Sequence, residues 1–334
     1  SIADESYITL MKSAFSTNIK ERHDHSTAIT NSDGKLIAQA ENALPAHLAS
    51  MGGLIQHVLD EYKDNINDGD IFIANDPHVA GGTHLPDINM AMPVFNKGTL
   101  LGFVANIVHH ADVGGAAVGS MSGGLNEIYK EGLRIPLVRL YSKGKIVKDI
   151  QRLLLLNMRL PDERKGDLNA QISACRLGVN RIQELLSKHG ASYLNTAFEE
   201  ILKRSKLRMQ KAISKLPDGN YTFTDYMDDD GLNTKNIKIS VDIKKKGKKI
   251  LFDFSKTDGQ VDGNFNLTFN ATQSSVCYSL KALLDPELPN NSGIFDAIDI
   301  KIPTCSLLNC VAPASVALRL NTVSYTHLRA HETG

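Results

Sequence analysis

The 334-residue sequence has no net charge, few cysteines and no long apolar run. Its 37 lysines and arginines are balanced by 37 aspartates and glutamates, so no long-range field would draw the chain to nucleic acid or to an anionic membrane. No apolar run approaches the ~20 residues that span a bilayer. The four cysteines are too few for a disulfide scaffold and are not spaced as in a zinc knuckle. A globular protein of the reducing cytoplasm is the expected class.

Motifs of common nucleotide and hydrolase sites are also missing. There is no G-x-x-x-x-G-K-[ST] loop and no G-x-G-x-x-G after a predicted strand, so no ATP site of known form is predicted. No G-x-S-x-G nucleophile elbow occurs, and no cysteine has a neighbouring histidine. The sequence therefore does not favour catalysis by a serine or cysteine nucleophile.

The periodicity of apolar residues predicts an α+β fold in three parts. We expect a mixed, β-rich N-terminal lobe with a His/Asp site over 1–145, a helical segment over 146–216 and a second, incomplete β-rich lobe over 217–322. The basic turn at 244–248 contains no interleaved aromatic residue. That composition favours a solvated hairpin tip over a nucleic-acid site.

Both ends of the sequence are atypical of a complete domain. The chain begins without methionine, inside a predicted helix. Residues 323–334 resemble the translation of a sequencing-library adapter, so we interpret them as a non-native tail, with a natural basic tail as the alternative. We therefore expect a fragment cut at both ends, and His327 and His331 receive no weight as ligands.

Histidine is concentrated in the first third of the sequence. Eight of the nine histidines that precede the tail lie before residue 111. Two segments, His84–Asp87 and His109–Asp112, share an H-x-x-D spacing that lets an imidazole nitrogen and a carboxylate oxygen converge from one turn of chain. Both are predicted at strand ends, where a sheet holds side chains in place. Together they can supply a site for a divalent cation, although each histidine alone fits a hydrogen-bonded core or surface residue.

The remaining early histidines are weaker ligand candidates. His57 lies within an apolar helical pattern and is expected to pack there. His23 and His25 flank Asp24 on a segment predicted to be extended. Alternation would place the two histidines on one face and Asp24 on the other, so these three residues cannot all be ligands.

Several longer motifs are similar to those of the hydantoinase B/oxoprolinase family, whose members include N-methylhydantoinase, 5-oxoprolinase, caprolactamase and acetone or acetophenone carboxylase subunits. They occur at Glu21–Ser26, Pro45–Met51, Gly69–Pro77, Gly81–Asp87, His109–Gly115 and Tyr129–Leu133. The resemblance covers essentially the whole chain to Thr322, and motifs of this length make it specific. The sequence departs from the family pattern after Gly293 and at Asn309–Cys310. Both departures lie in the second lobe, so they bear on substrate and partner contacts more than on a metal.

The resemblance implies a metal centre. The implied ligands of a divalent zinc, manganese or iron ion are Asp24, His84, Asp87 and His109. The residues implied to act in catalysis, by proton transfer or by supporting the ligands, are His110, Asp112 and Glu131. Spacing alone does not select Asp24 as a ligand, and only the resemblance implies it.

The resemblance also implies a partner and a reaction. Cyclic amides hydrolyse slowly, and a hydantoinase A-like ATPase subunit would phosphorylate the amide oxygen of a lactam or hydantoin. This chain would be the B subunit, whose metal lowers the pKa of a bound water toward ~7 for attack on the activated carbon. ATP would bind to the partner, in agreement with the missing P-loop. Two alternatives stay open: a subunit of an ATP-dependent acetone- or acetophenone-type carboxylase, and a non-catalytic scaffold for the A subunit.

Overall fold

The structure is a computed structural model that describes residues 1–319. The predicted non-native tail lies outside the described residues. The helices are α1 Ile2–Ser13, α2 Thr17–Lys20, α3 Leu48–Tyr62, α4 Ile128–Glu131, α5 Lys148–Leu156, α6 Pro161–His189, α7 Ala191–Ile213, α8 Phe269–Leu284 and α9 Ser292–Phe295, with a 3₁₀ turn at Pro45–His47. The strands are β1 His25–Asn31, β2 Leu36–Gln39, β3 Ile71–Ala74, β4 Asp87–Asn96, β5 Thr99–His109, β6 Val138–Ser142, β7 Lys145–Ile146, β8 Gly219–Asp229, β9 Lys235–Lys246, β10 Lys249–Asp253 and β11 Asp299–Lys301.

The first sheet contains seven antiparallel strands in the order β2-β1-β5-β4-β3-β6-β7. The long β4–β5 hairpin at its centre turns at Lys97 and Gly98, whose φ angles are 48° and 83°. Two successive positive φ angles match the twist of a tight hairpin, and glycine adopts one of them without strain. This turn, together with a register shift between Val94 and Phe95, brings Asp87 of β4 opposite His109 of β5.

Side chains alternate across β5 and are buried on both faces of the first sheet. Phe103, Ala105 and Ile107 belong to the core cluster on the side of α3 and the second lobe. Val104 and Val108 pack on the opposite side, against residues of α1 and α6. A strand that is buried on both faces and paired along both edges is held rigidly, so the end of β5 is a fixed position for a functional side chain.

The second sheet has the order β11-β10-β9-β8, with β10 and β11 parallel and the other pairs antiparallel. Helix α8, which the periodicity did not predict, packs against α3, α7 and the 3₁₀ turn at Pro45–His47. The largest core cluster contains Phe72 of β3, Phe252 of β10 and Leu280 of α8, so both lobes contribute to one apolar core. The predicted α+β class is confirmed, and the division into three parts stays a prediction.

The described helices show no membrane-spanning character. None of those within residues 1–319 combines the length and the apolar composition needed to cross a bilayer.

Candidate metal centre

Three adjacent strands of the first sheet, β1, β5 and β4, begin or end at the same end of the sheet and carry polar side chains there. Asp87 opens β4 directly opposite His109, the last residue of β5. Asp24 immediately precedes β1, and its carbonyl oxygen accepts the backbone N–H of His109 at 3.0 Å. Because β5 lies between β1 and β4, the pairing register alone places Asp24, His109 and Asp87 side by side.

The turn between His84 and Asp87 adds a fourth group to this end of the sheet. The backbone N–H of Asp87 donates to the carbonyl of His84 at 3.1 Å, which closes the H-x-x-D turn. His84 Nε2 lies 3.0 Å from Asp87 Oδ1 and 3.2 Å from His109 Nδ1. His109 Nδ1 lies 3.2 Å from Asp87 Oδ1 and 3.7 Å from Asp24 Oδ2. The structure thus brings together the four residues that the resemblance implied as ligands.

A fifth group, His47, completes the cluster. It ends the 3₁₀ turn that leads into α3, and its Nε2 lies 3.6 Å from Asp87 Oδ2 and 4.0 Å from Asp24 Oδ1. Sequence reasoning missed His47 as a ligand. It belongs to the Pro45–Met51 motif of the resemblance, which was the available signal, but no carboxylate lies at a ligand spacing from it.

The spacing of these atoms fits a divalent cation. Ligand atoms held at ~2.0–2.2 Å from a tetrahedral metal lie about 3.4 Å from one another. The donor atoms of His84, Asp87 and His109 all lie within 4.8 Å of each other, and those of Asp24, His47 and Asp87 do so as well. Imidazole nitrogens with carboxylate oxygens form a donor set suited to zinc, manganese or iron, and this set does not choose among them.

Two histidine rings are oriented by contacts on the side away from the cluster. His84 Nδ1 lies 3.1 Å from the carbonyl oxygen of Ala317, to which it can only donate, so Nε2 is the nitrogen with a free lone pair. His47 Nδ1 lies 3.0 Å from Ser26 Oγ, which leaves its Nε2 facing the carboxylates. Such outer contacts fix the ring and the tautomer of metal-ligating histidines.

Electrostatics favour the protonation state that a metal requires. Burial lowers the pKa of His84 to about 3, and the charge of Arg319 acts in the same direction. Burial alone would raise the pKa of Asp87, but its neighbours His84 and Arg319 hold that pKa well below its ordinary value. A neutral imidazole beside an ionised carboxylate is the form that binds metal ions.

Arg319 is a second residue that sequence reasoning missed. It is 2% exposed, and its Nη2 donates to Asp87 Oδ2 at 2.7 Å. Thr83 Oγ1 donates to the same carboxylate oxygen. The Arg319 contact joins residues 232 positions apart, so no local pattern could have identified it.

With this geometry in place, comparisons with known proteins decide the family. The model of the hydantoinase B/oxoprolinase family matches residues 1–328. The chain belongs to the hydantoinase B/oxoprolinase family. The resemblance inferred from the motifs is therefore confirmed.

The relatives include an uncharacterized protein and proteins named as enzymes. An uncharacterized protein of Methanocaldococcus jannaschii is 40% identical over 327 residues, which cover 95% of this chain and 56% of that protein. The 5-oxoprolinase 1 of Arabidopsis thaliana is 34% identical over 341 residues, covering 94% of this chain and 26% of that enzyme. The crystal structure of the ATP-dependent caprolactamase from Pseudomonas jessenii has a TM-score of 0.88 at 28% identity, covering 98% of this chain and 58% of that chain. This chain thus spans about half the length, or less, of these family members.

Two of the residues that the family resemblance implied as catalytic lie away from the cluster. The ring of His110 is fully buried, with Nε2 2.9 Å from Gln171 Oε1 of α6, and burial lowers its pKa to about 4. Asp112 accepts hydrogen bonds from the backbone of its own glycine-rich loop and from the guanidinium of Arg159 at 2.8 Å. Its carboxylate therefore organises that loop. The described contacts of both residues do not support the predicted proton transfer.

Glu131 lies directly behind the cluster. Its Oε1 accepts the backbone N–H groups of Val316 at 2.9 Å and Ala317 at 2.8 Å, whereas Oε2 is buried without a partner in the described residues. Burial raises the pKa of Glu131 to about 7 against the opposing effect of those two hydrogen bonds. Because the Ala317 carbonyl contacts His84, Glu131 holds in place the segment that orients a ligand.

A cavity of about 220 Å³ opens onto the cluster. Its described lining consists of Asn18, Arg22, Asp24, Leu44, Ala46, His47, His84, His109, Met121 and Arg319. The cavity is therefore small, and its lining combines apolar surface with a few converging polar and charged side chains, as small-molecule sites commonly do.

Proposed function

We propose that this chain carries the metal site of the B subunit of an ATP-dependent cyclic amidase of the hydantoinase or 5-oxoprolinase type. The observation that supports the proposal is the convergence of five side chains with nitrogen or oxygen donor atoms next to a small cavity. The relatives named 5-oxoprolinase and caprolactamase take their names from cyclic amides. The reaction of this chain is proposed by analogy with them and from the chemistry of its donor set.

The residues that would hold the cation are Asp24, His47, His84, Asp87 and His109. Two ionised carboxylates close to each other repel, and a divalent cation between them removes that repulsion, so the donor set fits such an ion. When bound, the cation would lower the pKa of water toward ~7 and polarise an oxygen of the substrate. The chain's own part is to fix the ligands through Ser26 and the Ala317 carbonyl and to hold Asp87 ionised.

Activation of the amide is assigned to a partner. The sequence contains no P-loop, and the related caprolactamase is described as ATP-dependent. We therefore propose that a hydantoinase A-like ATPase subunit phosphorylates the amide oxygen and that the activated ring is opened in the cavity of this chain. The assembly would be a hetero-oligomer in which this chain binds the small cyclic substrate.

Metal analysis of the purified chain tests the site. We expect about one equivalent of a transition metal in the native protein, and a loss of most of it in His84→Ala, because His84 supplies a buried nitrogen at the centre of the cluster. The matched control is His189→Ala, since His189 is exposed at the end of α6. Full metal content in His84→Ala would contradict the assignment.

Activity of the reconstituted pair tests the reaction. The chain and its A-like partner are incubated with ATP and with hydantoin, 5-oxoproline or a lactam panel, and the ring-opened product is measured. We expect turnover only when both subunits are present and none with His84→Ala. Ring opening by the partner alone would instead support a scaffold role, and turnover confined to ketones with bicarbonate would support a carboxylase.

A further inference from the structure

Two guanidinium groups line the cavity beside the metal cluster, and both have unused donors. Arg319 is fully buried and uses only Nη2, on Asp87, while its Nε and Nη1 have no hydrogen-bond partner in residues 1–319. Arg22 is exposed at the same cavity, and no ion pair to it is found among the described residues. A buried donor without a partner is destabilising, so the free edge of Arg319 requires an explanation.

A role as the counter-ion of Asp87 accounts for only some of the N–H donors of Arg319. One N–H of the guanidinium faces that carboxylate, and the other edge does not. A counter-ion role also leaves Arg22 unexplained, because Asp24 is the only carboxylate among the described lining residues and is itself placed to bind the cation. With the charges of Asp24 and Asp87 balanced by a divalent cation, the two guanidiniums would leave the cavity with an excess of positive charge.

We propose that Arg319 and Arg22 form an anion subsite that holds a phosphoryl or carboxylate group of the substrate next to the cluster. The planar guanidinium offers paired N–H donors that match the oxygens of either group. Asn18 lines the same cavity and can supply a further donor. An anion held there would place the attached ring beside His84 and His109, which line the same cavity.

The proposal rests on the proposed function and narrows its substrate class. The substrate that reaches this chain is an anion, and two sources share that chemistry: the phosphoryl group added by the partner, and a carboxylate already on the ring, as in 5-oxoproline. A neutral cyclic amide without either group would find the two guanidiniums unpaired and would bind weakly.

Calorimetric titration of the purified, metal-containing chain with inorganic phosphate tests the subsite. We expect Arg22→Gln to weaken phosphate binding about tenfold or more, because one charge-assisted contact is lost. Phosphate held by the cation alone would be insensitive to that change. The matched control, Arg204→Gln, removes an exposed arginine that pairs with Glu200 on α7 and should leave phosphate binding unchanged.

Arg319→Gln should also weaken phosphate binding. Should that variant fail to fold, Arg22→Gln still decides the matter, since Arg22 is exposed. Equal phosphate affinity in Arg22→Gln and the native chain, at equal metal content, would overturn the proposal. Competition with acetate distinguishes the sources: stronger binding of phosphate assigns the subsite to a phosphoryl group, and stronger binding of acetate assigns it to a carboxylate.

Failure of this inference and failure of the proposed function give different results. If phosphate binding depends on Arg22 but the reconstituted pair opens no cyclic amide, only the proposed function fails. If the pair opens cyclic amides while Arg22→Gln has native phosphate affinity and native KM, only the anion subsite fails.

Discussion

Several ionisable side chains around the cluster are deeply buried. Glu131 is fully buried, and its pKa of about 7 lies above the ordinary value of 4.5. The folded protein therefore keeps a proton on Glu131 that the unfolded chain releases above about pH 4.5. That proton adds stability which is complete below the unfolded pKa and is lost as the pH rises through about 7.

Glu131→Gln should remove this pH dependence. The amide keeps an oxygen acceptor for the Val316 and Ala317 N–H groups but cannot ionise. We expect the contribution of Glu131 to the free energy of unfolding to fall by on the order of 3 kcal/mol between about pH 5 and pH 8, so the difference in stability between the native chain and Glu131→Gln should change by about that amount. Denaturant titrations across that range measure the difference. Glu127→Gln, at a half-buried position four residues earlier, is the control, and parallel pH profiles for all three proteins would refute the prediction.

His47 is the candidate ligand that the sequence reasoning did not select. If it binds the cation, His47→Ala should weaken metal affinity by roughly tenfold or more, since even outer contacts of ligands contribute that much. Competition with a chelator of known affinity measures the change. His57→Ala, ten residues along on α3 and outside the cluster, should retain native affinity. Equal affinity in His47→Ala and the native chain would show that His47 is only a neighbour.

At the scale of elements, the site depends on how β1 pairs with β5. Gly102 lies opposite Asn31, and a Cβ there would collide with the carbonyl oxygen of Thr30. This close approach of the two backbones keeps β1 in the register that places Asp24 beside His109. A side chain at position 102 must therefore separate the strands or shift them.

Gly102→Ala should destabilise the protein and loosen the site together. We expect the free energy of unfolding to fall by about 1–3 kcal/mol or more, as in other overpacked interiors, and metal affinity to fall with it. Gly123→Ala is the matched control, because no atom lies within 4 Å of a Cβ built there. Native stability in Gly102→Ala would show that the strand pair tolerates displacement.

At the scale of the whole molecule, the proposed cation links segments that are distant in sequence. Its ligands come from the start of β1, the 3₁₀ turn before α3, the β4 entry and the end of β5. Removing the metal should lower the melting temperature, because binding to the folded state alone stabilises it by about 2.7 kcal/mol at a hundredfold excess over Kd.

A melting curve with and without chelator measures this effect. The native chain should regain its melting temperature when the metal is restored, whereas His84→Ala should melt at one temperature under all three conditions. A native chain whose melting temperature ignores chelator would argue against a bound structural or catalytic cation.

Most of the helices and strands near the site could be predicted from local sequence patterns. The apolar helical pattern around His57 is helix α3, and the two H-x-x-D segments lie at strand ends as predicted, at the start of β4 and the end of β5. The extended conformation predicted around Asp24 fails at His23, whose φ of 54° turns the chain before β1. Helix α8 was missed in a lobe whose period-two pattern suggested strands throughout.

The sequence by itself determined the α+β class, the family, and the two H-x-x-D segments as candidate sources of a metal site, because turns, hairpins and amphipathic periods depend on residues close together in the chain. Only the tertiary structure placed His47 beside Asp87, directed Asp112 toward Arg159 and His110 toward Gln171, and set Arg319 against Asp87. Those outcomes depend on strand register and on the packing of the second lobe against the first sheet, where contacts between residues far apart in sequence are selected by the burial of a shared core.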